Sequence, residues 1–215
     1  TPPVAVGAAK PGLATPLRGF VVLGTNGEIG LLTDEECDLV VETARAIVPL
    51  GRPLIAGAGR ESTQATIRAV RRAASLGADA VLVRTPAFFK SEMTHDNLVR
   101  YYGAVADASP VPILLYNFTN ATGVNMAPAT AAVLAEHPNV IGMKESGSDI
   151  AQLSGLGCEA HQVKQRDRAE ARHGCAKMLE FVRSRRLFYA FDGRNCPVVA
   201  GDAPYHATQR SPLVE

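Results

Sequence analysis

Lys144 stands where an apolar, β-branched run gives way to small polar residues, in the stretch VIGMKESGSD (140–149). Side chains on a strand alternate between faces, so Gly142, Lys144 and Ser146 share one face and Met143 and Glu145 the other. On a covered face, desolvation works against the ammonium, and the neutral amine is the form that attacks a carbonyl carbon to make a Schiff base. A lysine at a strand end can equally snorkel to solvent, and the bare residues leave both readings open. Tyr116 ends the preceding apolar run, VPILLYN (111–117). On the same rim a phenol can pass a proton during imine formation and carbon–carbon cleavage, or simply pack with its hydroxyl satisfied. The stretch GTNGE (24–28) follows the first apolar run. Gly24 and Gly27 free the backbone to approach a ligand, and Thr25 and Asn26 can donate to a carboxylate; the same letters also make an ordinary Asn-Gly turn.

Other candidates are weaker. GAGRES (57–62) has a GxG but neither a third glycine nor an acidic ribose partner, and reads as a strand-to-helix turn. Cys158, His161, His173 and Cys175 have no spacing typical of a zinc framework. His95 and His137 flank helices and read as polar surface residues. No metal or organic cofactor is expected.

The elements that must position these groups recur from residue 18. Short Val/Ile/Leu-rich runs, GFVVLG (19–24), PLIAGAG (53–59), ADAVLVRTP (78–86), VPILLYN (111–117) and NVIGMKES (139–146), alternate with four segments of helical spacing. Those segments run Leu32–Leu50 with an acidic start at Thr33, Asp34 and Glu35, Ser62–Leu76 with Ser62 as cap, Thr94–Ala108 with Thr94 as cap, and Ala127–Glu136 opening at Pro128. Strands alternating with helices of this length predict βαβ units and a parallel sheet, and near-continuous apolar runs predict strands covered on both faces. A doubly wound open sheet or a (β/α)8 barrel would satisfy the pattern. Both collect chemistry at the carboxyl ends of the strands, where Lys144 falls.

Composition narrows the partners. With 22 basic against 21 acidic residues in 215 and 47% hydrophobic content, nothing argues for nucleic acid or a membrane surface, and a small molecule is the expected partner. Four cysteines without CxxC pairing suggest a reducing compartment. No run approaches the roughly 18 apolar residues of a membrane span. The start TPPVAVGAAKPG lacks the order of a secretion signal, and a chain opening on Thr is expected to be a processed or incomplete product. Residues 158–215 carry ten basic against seven acidic residues, and the alternation stops there. Three segments follow: an irregular 1–17, a (β/α) domain over 18–157, and a basic tail over 158–215 with one possible amphipathic helix containing Met178, Phe181 and Val182.

GTNGE, the TP of 85–86 followed by two aromatics, LLYN with its later TG, and GMKESGSD, in this order on successive strand ends, resemble the dihydrodipicolinate synthase/N-acetylneuraminate lyase superfamily over about residues 18–156. The resemblance implies an α/β (β/α)8 TIM barrel, here incomplete with strands two to six recognisable, and a class I aldolase acting on pyruvate without cofactor. It implies Lys144 as the Schiff-base lysine, Tyr116 as the proton-relay tyrosine and Thr25 as the hydroxyl extending that relay. Thr25, Asn26 and Gly27 fall at the keto-acid carboxylate. Dimers or tetramers are implied, in the cytoplasm or in mitochondria.

Of two departures from the family pattern, the first bears on the proton relay and the second on substrate. Phe88 and Phe89 stand where many members carry two tyrosines, so that part of the relay loses its hydroxyls. Ala121 in YNFTNATG replaces the arginine with which dihydrodipicolinate synthases grip the second substrate's carboxylate. The KESGSD ending (144–149) and the missing arginine look more like 4-hydroxy-2-oxoglutarate aldolases, so the expected activity is a carbon–carbon lyase of that kind, cleaving a 4-hydroxy-2-oxo acid to pyruvate and an aldehyde. The alternatives are a dihydrodipicolinate synthase-type condensation and an inactive, truncated member serving as partner or regulator.

Overall fold

The computed structural model describes residues 19–147 and Gln152. Segments 1–17 and 158–215, with the basic helix and the Cys158, His161, His173 and Cys175 set, lie outside the described residues. Five strands, β1 (Phe20–Val22), β2 (Leu54–Gly57), β3 (Ala80–Arg84), β4 (Ile113–Asn117) and β5 (Val140–Glu145), form one sheet in the order β1-β2-β3-β4-β5 with every pair parallel. Strand order equals chain order, without the reversal that defines a doubly wound sheet. The arrangement is therefore a section of a (β/α) barrel wall.

Helices α1 (Asp34–Ile47), α2 (Thr63–Ser75), α3 (His95–Ala108) and α5 (Pro128–Ala135) follow β1, β2, β3 and β4. Their starts show why the sequence breaks where it does. Thr33 accepts from the Glu36 amide while the Glu36 carboxylate accepts from the Thr33 amide, so two orphan donors of the first turn are satisfied reciprocally. Thr33 is thus the cap of α1 and not part of its first turn. Ser62 and Thr94 cap α2 and α3 in the one-sided form, and Pro128 opens α5 at a position needing no amide donor. A one-turn helix, α4 (Thr119–Thr122), closes at Gly123 in the left-handed region; the sequence pattern did not predict it, since four polar and small residues carry no periodicity.

The sheet separates two apolar layers. Leu54, Ala56, Val81, Val83, Ile113, Leu115 and Met143 join the helices in the main core, together with Val41, Val70, Leu98 and Tyr102. On the opposite face Ile55, Ala80, Leu82, Leu114, Tyr116 and Ile141 make a smaller cluster. Period-2 alternation explains the split along each strand. Where β4 meets β5 the register shifts between Ile113 and Leu114, leaving Ile141 as the extra residue, and beyond it Tyr116 lies directly opposite Lys144. No helix among the described residues is long and apolar enough to cross a membrane.

Candidate active site

The inner-face residues at the carboxyl ends of β3, β4 and β5 form one row, with Arg84 opposite Tyr116 and Tyr116 opposite Lys144. Lys144 is half-buried and its Nζ lies 4.1 Å from the centroid of the Tyr116 ring, on the ring's face. The amine therefore rests against an aromatic wall and leans toward β4 instead of away from it. The Tyr116 ring stacks on Phe118, and its hydroxyl is 3.0 Å from Thr25 Oγ1. Three strand spacings separate β1 from β4, about 14 Å on a flat sheet, so this bond requires the sheet to curl. Curvature brings the ends of distant strands over one mouth.

Thr25 is delivered by a constrained loop. Residues Thr25–Gly27 make one 3-10 turn between Gly24 and Glu28, and Glu28 and Leu23, the residue before Gly24, are both non-glycine residues at φ 56°. A buried leucine in the left-handed region costs on the order of 1 kcal/mol, and such strain persists only where the surroundings enforce it. Here the Leu23 carbonyl packs onto Gly57, where an added Cβ would come within 1.7 Å of that oxygen. Asn26 and Gly27 are exposed on the same turn, beside Thr25. The sequence thus brings Lys144, Tyr116 and Thr25 to one place, with Asn26 and Gly27 at its solvent side.

Sequence reasoning missed the polar groups that hold this mouth. Asn117 and Glu145 follow Tyr116 and Lys144 and, by alternation, point to the covered side, where both are fully buried. Asn117 Nδ2 donates to Glu145 Oε2 at 2.8 Å and to Asn125 Oδ1 at 2.9 Å, while its Oδ1 accepts from the Met126 amide. Glu145 also accepts from the Gly147 amide and from Gln152 Nε2. One buried amide and one buried carboxylate therefore tie the loops after β4 and β5 to the strands bearing the phenol and the amine. The signal was the polar residue following each candidate, read for its parity. Asn117→Ala leaves the Glu145 carboxylate short of a donor and should destabilise the fold by about 2–4 kcal/mol, seen as a lower thermal midpoint.

A second missed group is Glu61, in the turn after β2. Its Oε2 accepts from the Ala87 and Phe88 amides at 2.8 and 2.9 Å, and its Oε1 accepts from Arg84 Nη2 at 2.8 Å. Burial pushes this carboxyl up, but the two amides and the guanidinium outweigh it and hold Glu61 below its ordinary 4.5. The sign follows: a lowered folded value contributes stability that is fully present above 4.5 and is lost as pH falls through the folded value. Glu61→Gln should cost about 1 kcal/mol near neutrality, solvent screening reducing the charge contribution at this half-open site, and should flatten the fall in thermal midpoint below about pH 4.5.

Phe88 and Phe89, on the loop that Glu61 holds, form an edge-to-face pair with 78% and 66% exposure. Ala121 lies on α4 and is exposed. His95 pairs with Thr130 and His137 with Asp107, away from the mouth. GAGRES is the turn from β2 into α2, as expected. A cavity of about 330 Å³ lies between α1 and α2, but its Arg60 and Arg72 are matched by Asp34 and Asp38, and none of the rim residues line it. Among the described residues no cluster of three His, Cys, Asp or Glu could hold a metal ion.

Known proteins are similar to this chain in sequence and fold. The model of the Dihydrodipicolinate synthetase family matches residues 12–164. The 4-hydroxy-tetrahydrodipicolinate synthase of Stenotrophomonas maltophilia (strain K279a) is 41% identical over 140 residues, 65% of this chain and 46% of that protein. Among solved structures, the dihydrodipicolinate synthase of Acinetobacter baumannii complexed with pyruvate superposes with a TM-score of 0.69 at 32% identity, covering 73% of this chain and 53% of the other. That of Thermotoga maritima gives 0.69 at 33% identity, covering 75% and 54%. The chain spans about half the length of the curated relatives it matches. The relatives carry the synthase name, not the aldolase name that Ala121 suggested.

Proposed function

We propose a function from one premise: the chain belongs to the dihydrodipicolinate synthetase family. Enzymes of this family work through a lysine Schiff base with pyruvate and need no external cofactor. The reading assigned to this chain is a pyruvate-dependent carbon–carbon lyase or synthase with Lys144 as nucleophile. One observation carries it: the Lys144 amine lies against the ring of Tyr116 while the same phenol bonds to Thr25.

The steps use only these groups, substrates and water. Neutral Lys144 attacks C2 of pyruvate, and the carbinolamine loses water to give an iminium. The iminium draws electrons from C3, which gives up a proton and becomes the enamine carbon. That carbon attacks an aldehyde, a carbon–carbon bond forms, and the aldehyde oxygen takes a proton. Water then hydrolyses the iminium, releasing product and amine. Tyr116, joined to Thr25, is placed to supply and accept the protons, and Thr25, Asn26 and Gly27 to meet the keto-acid carboxylate.

The relatives' names favour a dihydrodipicolinate synthase-type condensation. A product so named carries a ring nitrogen and two carboxylates, one of them from pyruvate, so the second substrate is an aldehyde bearing an amine and a carboxylate. Ala121 supports a second reading, reversible cleavage of a 4-hydroxy-2-oxo acid, because no guanidinium stands at that position. Assembly into dimers or tetramers would cover the exposed Phe88–Phe89 pair.

The test needs no aldehyde. Enamine formation exchanges the C3 protons of pyruvate with solvent, so the chain in D2O should wash out the methyl signal of pyruvate in proton NMR. Folded protein that leaves this signal at the rate of buffer would reduce the chain to a non-catalytic family member.

A further inference from the structure

We infer that Arg84 binds the distal carboxylate of the substrate, making the acceptor end of this site selective for carboxylate-bearing aldehydes; the inference rests on Lys144 being the Schiff-base residue. Arg84 ends β3 on the inner face, opposite Tyr116, which is itself opposite Lys144. Two strand spacings put the Arg84 and Lys144 backbones about 10 Å apart. Both side chains stand on the same face, and the lysine leans toward the arginine's side of the mouth, over the Tyr116 ring.

The position is unusual for a cation. Every other described inner-face residue at or below this level, Ile55, Ala80, Leu82, Leu114 and Ile141 among them, is apolar apart from the phenol and the amine. Gly59 makes room for the stem, since a Cβ there would fall 2.8 Å from Arg84 Cγ. The head is held and not buried: Nη1 donates to the Thr85 carbonyl, Nη2 to Glu61, and 27% of the side chain remains open. Glu61 is shared with two loop amides, so it anchors the guanidinium without using up its five donors. A guanidinium so fixed presents a fork suited to a carboxylate. A keto diacid joined at Lys144 through C2 carries its second carboxylate three bonds along the chain, toward Arg84. Position 121 has no cation, and Arg84 fills that role from the adjacent strand.

Borohydride trapping on the 215-residue chain tests this without turnover. Pyruvate, 2-oxoglutarate and 2-oxopentanoate are titrated, and the Lys144 adduct is read by mass spectrometry. The last two have equal chain length and differ by the second carboxylate. Half-saturation should fall about 10- to 100-fold lower for 2-oxoglutarate than for 2-oxopentanoate, the scale of a charge-assisted bond. Arg84→Met should abolish that preference, bringing the ratio of the two half-saturation values to about one, and Arg84→Lys should restore part of it. Equal half-saturation in the native chain, or a preference surviving in Arg84→Met, overturns the inference alone. Absence of a pyruvate adduct overturns the Schiff-base reading and this inference with it. Should Arg84→Met fail to fold, Arg84→Lys must still lose part of the preference, since it keeps charge without the fork.

Discussion

Lys144→Ala protein folds and loses proton exchange at C3 of pyruvate by roughly 10⁴-fold or more, the scale seen when a covalent nucleophile is removed. The size follows from the role assigned to the amine. Without it no iminium forms, and the C3 proton keeps the acidity of a free keto acid. The fold should tolerate the change, because Lys144 is half-buried at a strand end and the buried neighbour that secures the loops is Glu145, on the other face. A thermal midpoint within a few degrees of the native chain, measured beside the exchange rate, separates lost chemistry from lost structure. Lys144→Arg makes the argument sharper. It keeps a long basic side chain at this position but supplies no nucleophilic amine, and exchange should be lost to the same extent.

Tyr116→Phe should lower the exchange rate by about 10²- to 10⁴-fold, the usual contribution of a positioned acid–base group. The ring stays, so stacking on Phe118 and the wall under Lys144 are preserved, and only the hydroxyl bonded to Thr25 is removed. Because the amine is intact, borohydride should still trap pyruvate, more slowly. Thr25→Val removes the hydrogen bond to the same phenol and the hydroxyl offered to the keto-acid carboxylate, and should cost about 10- to 100-fold. A Tyr116→Phe chain that exchanges at the native rate would leave Lys144 to another proton carrier and remove the tyrosine from the mechanism.

How much of this was legible in the sequence differs by residue. Lys144 and Tyr116 could be read because each ends an apolar strand run, and a parallel array puts strand ends on one rim. Helix starts were legible because Ser62, Thr94 and Pro128 satisfy or avoid orphan amides locally, although at Thr33 the acidic residues obscured a capping box that only Glu36 completes. Faces were legible over Gly142–Glu145, since alternation needs no partner strand. The register shift at Ile113 and Leu114 was not, because it depends on how two strands fit and no single run records it. Arg84 and Glu61 were invisible for a related reason. They lie 23 residues apart, and only the parallel pairing of β2 with β3 brings the turn after β2 against the end of β3. Choice between doubly wound sheet and barrel was likewise a matter of strand order, which periodicity does not encode.

The most direct measurement is where pyruvate attaches. The chain contains Lys10, Lys90, Lys144, Lys164 and Lys177, so reduction with borohydride in the presence of pyruvate followed by peptide mapping distinguishes a site from general amine chemistry. The account predicts one reduced adduct, stoichiometric at saturating pyruvate and confined to the peptide holding Lys144. Label spread over all five lysines, or none on Lys144 in protein shown to be folded, would contradict it.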